Sequence, residues 1–128
     1  WNLWYDGDGD WAHAGNREQS PIIDTPYGRI GLMICYDMHV LPEVFQENHV
    51  RLVLHCAAFY GPNFEGFLLS NKFKRRLANM YYVLANWAGQ ENAGWSGGGM
   101  SRIMDNAGEL RARATSDFSN EIVYADLP

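Results

Sequence analysis

The chain has 128 residues, 47% of them hydrophobic, with five Trp and seven Tyr, which is enough apolar material for one folded domain, and the length gives no reason to expect two. A formal net charge of −5 disfavours nucleic acid as the main partner, and no apolar run approaches the roughly 20 residues that cross a bilayer. Two cysteines make no disulfide framework and no charged-then-apolar leader opens the chain, so a cytoplasmic setting is expected.

Residues 6–20 are polar and turn-rich and read as loop. Asp6, Asp8 and Asp10 imitate the first ligands of a calcium loop. Trp11 stands where such a loop needs glycine and Arg17 where it needs a bidentate Glu, so no calcium site is expected. Ile22-Ile23 makes a short strand and Tyr27-Gly28 a turn. Ile30 to Cys35 has the near-continuous apolar character of a strand buried on both faces. Pro42 to about Asn48 reads as a short helix, with Pro suited to its first turn and Glu43 near its positive end. Val50 to Ala57 is a second core strand. Phe64 to Met80 is expected as one helix, with Leu69, Phe73, Leu77 and Tyr81 as its buried stripe and Lys72, Lys74, Arg75 and Arg76 on its other faces. Tyr82 to Ala85 returns as a strand. Gly97 to Gly99 permit a close approach of backbone to pocket or partner. Met100–Met104 and Glu109–Ala112 pair as a hairpin across Asp105-Asn106-Ala107-Gly108, and Ile122 to Ala125 is expected as a last strand. Alternating strands and helices followed by hairpins imply a mixed α/β layered fold.

The chemistry concentrates at Cys35. A strand delivers one thiol to its own C-terminal edge, just before a helix, and a sharp strand-to-helix turn exposes a nucleophile while aiming backbone N–H groups at the same point. Spacing alone leaves a buried core thiol equally open, because free cysteines are among the most buried residue types. His13, His39, His49 and His55 have no metal-ligand spacing, and His55, inside a core strand, reads as a satisfied structural histidine.

The run Gly28-Arg29-Ile30-Gly31-Leu32-Met33-Ile34-Cys35-Tyr36-Asp37, followed by Pro42-Glu43, resembles the nucleophile region of the nitrilase (carbon–nitrogen hydrolase) superfamily. Leu52-Val53-Leu54-His55-Cys56-Ala57-Ala58-Phe59 is similar to the family's next core strand. Arg75-Arg76-Leu77-Ala78-Asn79 with Tyr82-Val83-Leu84-Ala85-Asn86 resembles its helix end and following strand. Gly97 to Glu109 resembles its Gly-x-Ser-x-Ile hairpin. Four blocks in order are far more specific than any one.

The resemblance implies a layered α-β-β-α sandwich, with residues 1–128 as the C-terminal portion of a single domain whose N-terminal part is absent. It implies thiol-dependent hydrolysis of a non-peptide C–N bond in a small amide or carbamoyl substrate, no cofactor, and a homodimer or larger homo-oligomer. By position Cys35 carries over as nucleophile and the Tyr36 backbone N–H as an oxyanion donor. Asp37 and Glu43 would support the site. Phe59 and Tyr60 either line the pocket or are ordinary core aromatics. The family's catalytic Glu and Lys precede the nucleophile, and here the match stops: residues 1–34 hold no lysine and a single glutamate, Glu18. The spacing from Asp37 to Pro42 is one residue longer than usual, and that from Asn79 to Asn86 one shorter. Cys35-Tyr36-Asp37 is closer to the amidase and carbamoylase branches than to true nitrilases. Two other readings stay open, a catalytically incomplete nitrilase-like binding or assembly module and a redox protein using Cys35 and Cys56.

Overall fold

The computed structural model describes residues 13, 15, 21–59, 64–89, 97–115 and 121–128. Six strands, β1 (Ile22–Thr25), β2 (Gly28–Ile34), β3 (Val50–Ala57), β4 (Tyr81–Asn86), β5 (Arg102–Met104) and β6 (Leu110–Arg113), form one sheet in sequential order. β2, β3 and β4 are parallel, and the pairings at either side of them are antiparallel. The parallel pairs need crossovers, which are supplied by a 3-10 turn (Cys35–His39) with helix α1 (Leu41–Glu47), and by helices α2 (Phe64–Leu69) and α3 (Asn71–Arg76). The arrangement is α/β, as the alternation of elements implied.

The register sets the core. Gly31, Val53 and Tyr82 lie side by side, as do Met33, His55 and Leu84, and these residues share the face that the helices cover. Gly31 has a steric reason to be glycine, since a Cβ there would lie 2.8 Å from the Phe45 ring of α1. From α3, the Phe73 ring meets Tyr82 edge-on at 5.4 Å. The opposite face carries Leu32, Ile34, Leu54 and Val83. Ile34 is 71% exposed and Leu32 36%. Among the described residues no second sheet covers it.

Three expectations need correction. The helix expected over Phe64–Met80 is two helices. Ser70 has an extended backbone and its Oγ accepts a hydrogen bond from the Phe73 N–H at 3.2 Å, so the hydroxyl caps α3 instead of continuing α2. The break rotates the apolar stripe: Leu68 is fully buried and Leu69 is 44% exposed. Finally, residues 121–128 form no strand. Ile122 and Tyr124 are exposed, no ladder joins the segment to the sheet, and it is tied down through the Tyr81 hydroxyl donating to the Pro128 carbonyl. Apolar alternation alone cannot make a strand without a partner for its backbone.

Candidate active site

Three parallel strands end at the same edge, and the chain leaving each end gathers there. β2 ends at Ile34 and gives Cys35, β3 ends at Ala57 and leads to Phe59, and β4 ends at Asn86. The C-terminal edge of a parallel sheet is where α/β folds hold their ligands. Cys35 is half-buried and its φ is +46°, the left-handed region that a side chain with a Cβ enters at a cost of about 1–2 kcal/mol. That conformation turns the chain abruptly from strand to 3-10 turn. The Asp37 carboxylate closes the turn by accepting the Ile34 N–H at 3.0 Å, and the Val40 N–H donates to the Asp37 carbonyl at 2.9 Å.

Beneath the turn lies His55, 1% exposed, on the helix-covered face of β3. Its Nε2 is 3.0 Å from the Cys35 carbonyl oxygen and its Nδ1 2.7 Å from the Tyr82 hydroxyl. A carbonyl only accepts, so Nε2 carries the proton, and Nδ1 accepts from the Tyr82 O–H. Burial pushes the imidazole pKa down to about 4, outweighing the opposite effect of the Cys35 bond, and the ring is neutral at pH 7. Burial likewise drives the Tyr82 phenol well above its ordinary range and keeps it a donor.

At the far end of the turn, the Arg76 guanidinium reaches over from α3. Its Nε and Nη2 donate to the two Glu43 oxygens at 2.8 and 2.7 Å, and Nη2 also donates to the His39 carbonyl at 2.6 Å. The Arg76 bond is the main reason the Glu43 carboxyl lies below its usual range. The His39 ring packs between Tyr36 and Phe67, and burial followed by the charges of Arg76 and Lys72 lowers its pKa.

Asn86 organises the other side of the edge. Its Oδ1 accepts the Phe59 N–H at 2.8 Å, and its Nδ2 donates to the carbonyls of Phe59 at 3.2 Å and Gly99 at 2.8 Å. The glycine run does approach closely: a Cβ on Gly98 would lie 2.7 Å from the Phe59 carbonyl oxygen, and one on Gly97 2.4 Å from that of Trp87. Phe59 is half-buried and its ring stands edge-on to His55 at 5.5 Å.

Of the residues singled out from sequence, Cys35, Tyr36, Asp37 and Glu43 thus lie along one turn and its following helix, and Phe59 faces them across His55. Tyr60 and Glu18 lie outside the described residues. Cys56 is exposed on the uncovered sheet face, and both cysteines are free thiols. Among the described residues no group of three His, Cys, Asp or Glu side chains could hold a metal ion, and no helix is long and apolar enough to cross a membrane. An apolar groove of about 580 Å³ between Tyr27, Arg51 and Leu127 sits at the N-terminal ends of the parallel strands, away from Cys35. His55, Arg76 and Asn86 were not predicted as site residues. Only a histidine inside an apolar strand, which must find polar partners, was a usable signal.

Comparison with known proteins places this geometry in context. The sequence profile of the family described as Carbon-nitrogen hydrolase matches residues 5–128. The chain is similar to the omega-amidase NIT2 of Bos taurus, 33% identical over 112 residues, which are 83% of this chain and 39% of that protein. The Homo sapiens omega-amidase NIT2 is 33% identical over 110 residues, covering 81% and 38%. Among solved structures, Saccharomyces cerevisiae Nit3, a member of branch 10 of the nitrilase superfamily, superposes with a TM-score of 0.65 at 26% identity, over 83% of this chain and 40% of that one. A mutant amidase from Nesterenkonia sp. AN1, with the acetamide moiety of fluoroacetamide added covalently at its active-site cysteine, gives 0.72 at 20% identity, over 91% and 44%. The sheet and helices are therefore part of a nitrilase fold, and the chain spans about two fifths of the length of the curated relatives it matches.

Proposed function

Because the chain belongs to the carbon–nitrogen hydrolase family, we propose that it carries the nucleophile and part of the oxyanion site of a thiol-dependent amidase, with Cys35 as the attacking group. One observation carries the proposal: a half-buried thiol at φ +46° on the C-terminal edge of the parallel strands, with the chain turning sharply beneath it. Relatives named as omega-amidases and amidases support a small carboxamide as substrate.

The thiolate of Cys35 would attack the amide carbon, forming an S–C bond while the carbonyl π pair moves to oxygen. The Tyr36 N–H is assigned to that oxyanion. On collapse the C–N bond breaks, and the leaving nitrogen takes the proton first removed from the thiol. Water then hydrolyses the thioester to the carboxylic acid and regenerates the thiol. The proton-carrying Glu and the cationic Lys of the family reaction have no counterpart in residues 1–34, so the reading requires both from sequence outside these residues. Asp37 and Glu43 hold the turn, and Phe59 borders the pocket.

The test is hydrolysis of short carboxamides by the naturally occurring protein, beside its Cys35→Ala and Cys56→Ala variants. Ammonia release should vanish with the first and persist with the second. Undiminished hydrolysis in Cys35→Ala would refute the assignment. The exposed Ile34 and Leu32 favour a second reading, a non-catalytic assembly module, under which neither variant changes anything but both still associate.

A further inference from the structure

His55 sits in a core strand, fully buried and fully bonded, and the reaction as written makes no use of it. Its place in the fold gives it one. The Cys35 carbonyl and the Tyr36 N–H are opposite ends of a single planar peptide unit, so whatever fixes the carbonyl also aims the N–H. We propose that His55 and Tyr82 are positioning residues for the oxyanion site: Tyr82 donates to Nδ1, Nε2–H donates to the Cys35 carbonyl, and the relay orients the Tyr36 N–H that is to meet the oxyanion. The inference rests on the assignment of Cys35 as nucleophile.

Three observations support it. The bond directions are determined, because the Cys35 carbonyl can only accept, so the ring has one tautomer and one orientation. The peptide concerned leaves a residue held at φ +46°, a conformation that persists only where the surroundings fix it, and the His55 bond is an anchor from outside the turn. The relay is also rigidly seated: His55 is buried between Met33 and Leu84, Phe59 closes on the ring edge-on at 5.5 Å, and Phe73 backs Tyr82 at 5.4 Å. A hydrogen bond accepted by the carbonyl further polarises the peptide and strengthens its N–H as a donor. A histidine kept only for packing would do none of this.

Two small probes of Cys35 separate the roles. p-Nitrophenyl acetate acylates the thiol through a tetrahedral oxyanion, with the sulfur displacing p-nitrophenolate. Methyl methanethiosulfonate forms a mixed disulfide, with methanesulfinate leaving, and passes through no oxyanion. Rates are followed at the Cys35 peptide by mass spectrometry, in the naturally occurring protein carrying Cys56→Ser. In His55→Phe the acylation rate should fall about tenfold to a hundredfold, a substantial part of what one oxyanion donor contributes, while the disulfide-forming rate stays within about twofold. His55→Gln, whose amide N–H reaches toward the Nε2 position, should recover most of the loss. Tyr82→Phe, which keeps its ring against Phe73, should show the same split to a smaller degree and carries the comparison if His55→Phe does not fold. Acylation unchanged in the variants, or both probes slowed equally, overturns the inference. A parent protein whose Cys35 is not acylated at all overturns the nucleophile assignment, and this inference with it.

Discussion

Asn86 offers the sharpest test of how the site edge is built, because its side-chain amide makes three hydrogen bonds there. It accepts one hydrogen bond, from the Phe59 N–H, and donates two, to the Phe59 and Gly99 carbonyls, at 9% exposure. At a net value of about 1 kcal/mol each, replacing Asn86 with Ala should cost about 3 kcal/mol. Asn86→Asp should cost more, although it is closer in size. The carboxylate still accepts from Phe59, but it loses both donations and sets a negative oxygen against two carbonyl oxygens, which adds about 1–2 kcal/mol. Urea denaturation measures both changes. With a slope of about 1–3 kcal/mol per molar, the Ala variant should move the midpoint down by about 1–3 M. A loss below about 1 kcal/mol for Ala would show that the bonds are made as well to water when the fold opens. An Asp variant no worse than Ala at pH 7 would refute the donor assignment itself.

Two further outcomes follow from the same geometry. The His55 imidazole has a pKa of about 4 in the fold and 6.5 as the ordinary value, so above pH 6.5 neither state binds its proton and it contributes nothing to pH dependence. As pH falls from 6.5 to 4 the unfolded chain takes the proton first, so stability should drop by up to about 3 kcal/mol and this contribution should level off below pH 4. Urea midpoints at pH 7.5 and 4.5 should show that component in the parent and not in His55→Gln, and an equal drop in both would count against it. The Arg76–Glu43 pair has ideal fork geometry, but Glu43 is 52% exposed, so a double-mutant cycle with Arg76→Met and Glu43→Gln should return a coupling of only about 0.5–1.5 kcal/mol. A coupling near zero would mean that the bridge does not survive solvent competition.

What could be read from the chain and what could not divides along sequence distance. The apolar runs Ile30–Ile34 and Val50–Ala57 announced β2 and β3, but the expected burial of β2 on both faces is not met among the described residues: Met33 is 1% exposed on the helix-covered face and Ile34 71% on the other. The Asp105–Gly108 turn was equally legible. Its carboxylate caps the Ala107 and Glu109 N–H groups at 2.9 Å, and Gly108 takes φ +79°, so the requirements are met within a few residues. The break at Ser70 was hidden by Phe73, Leu77 and Tyr81, whose spacing runs on as if the helix had not been interrupted. The thiol was singled out by its place at a strand end together with the resemblance, and Asp37 and Glu43 were named beside it, but His55, Arg76 and Asn86 were not. The partners of His55, Arg76 and Asn86 lie 13 to 37 residues away along the chain, and no local pattern pairs them in advance. Arg76 was read as one of several solvated cations on a helix. Its role appears only once the parallel crossover has brought α3 against α1.

The order of the strands in the sheet has a consequence for how the molecule is made. Among the described residues, every strand after β1 pairs with the one before it in sequence, through to β6. As the chain leaves the ribosome, each of the strands β2 to β6 therefore finds its hydrogen-bonding neighbour already synthesised, and no later one of these six has to slot in between two earlier ones. Growth of the sheet can keep pace with translation. The Cys35 turn, laid down between β2 and β3, acquires its anchor when His55 emerges twenty residues later, well before the hairpin of β5 and β6 exists.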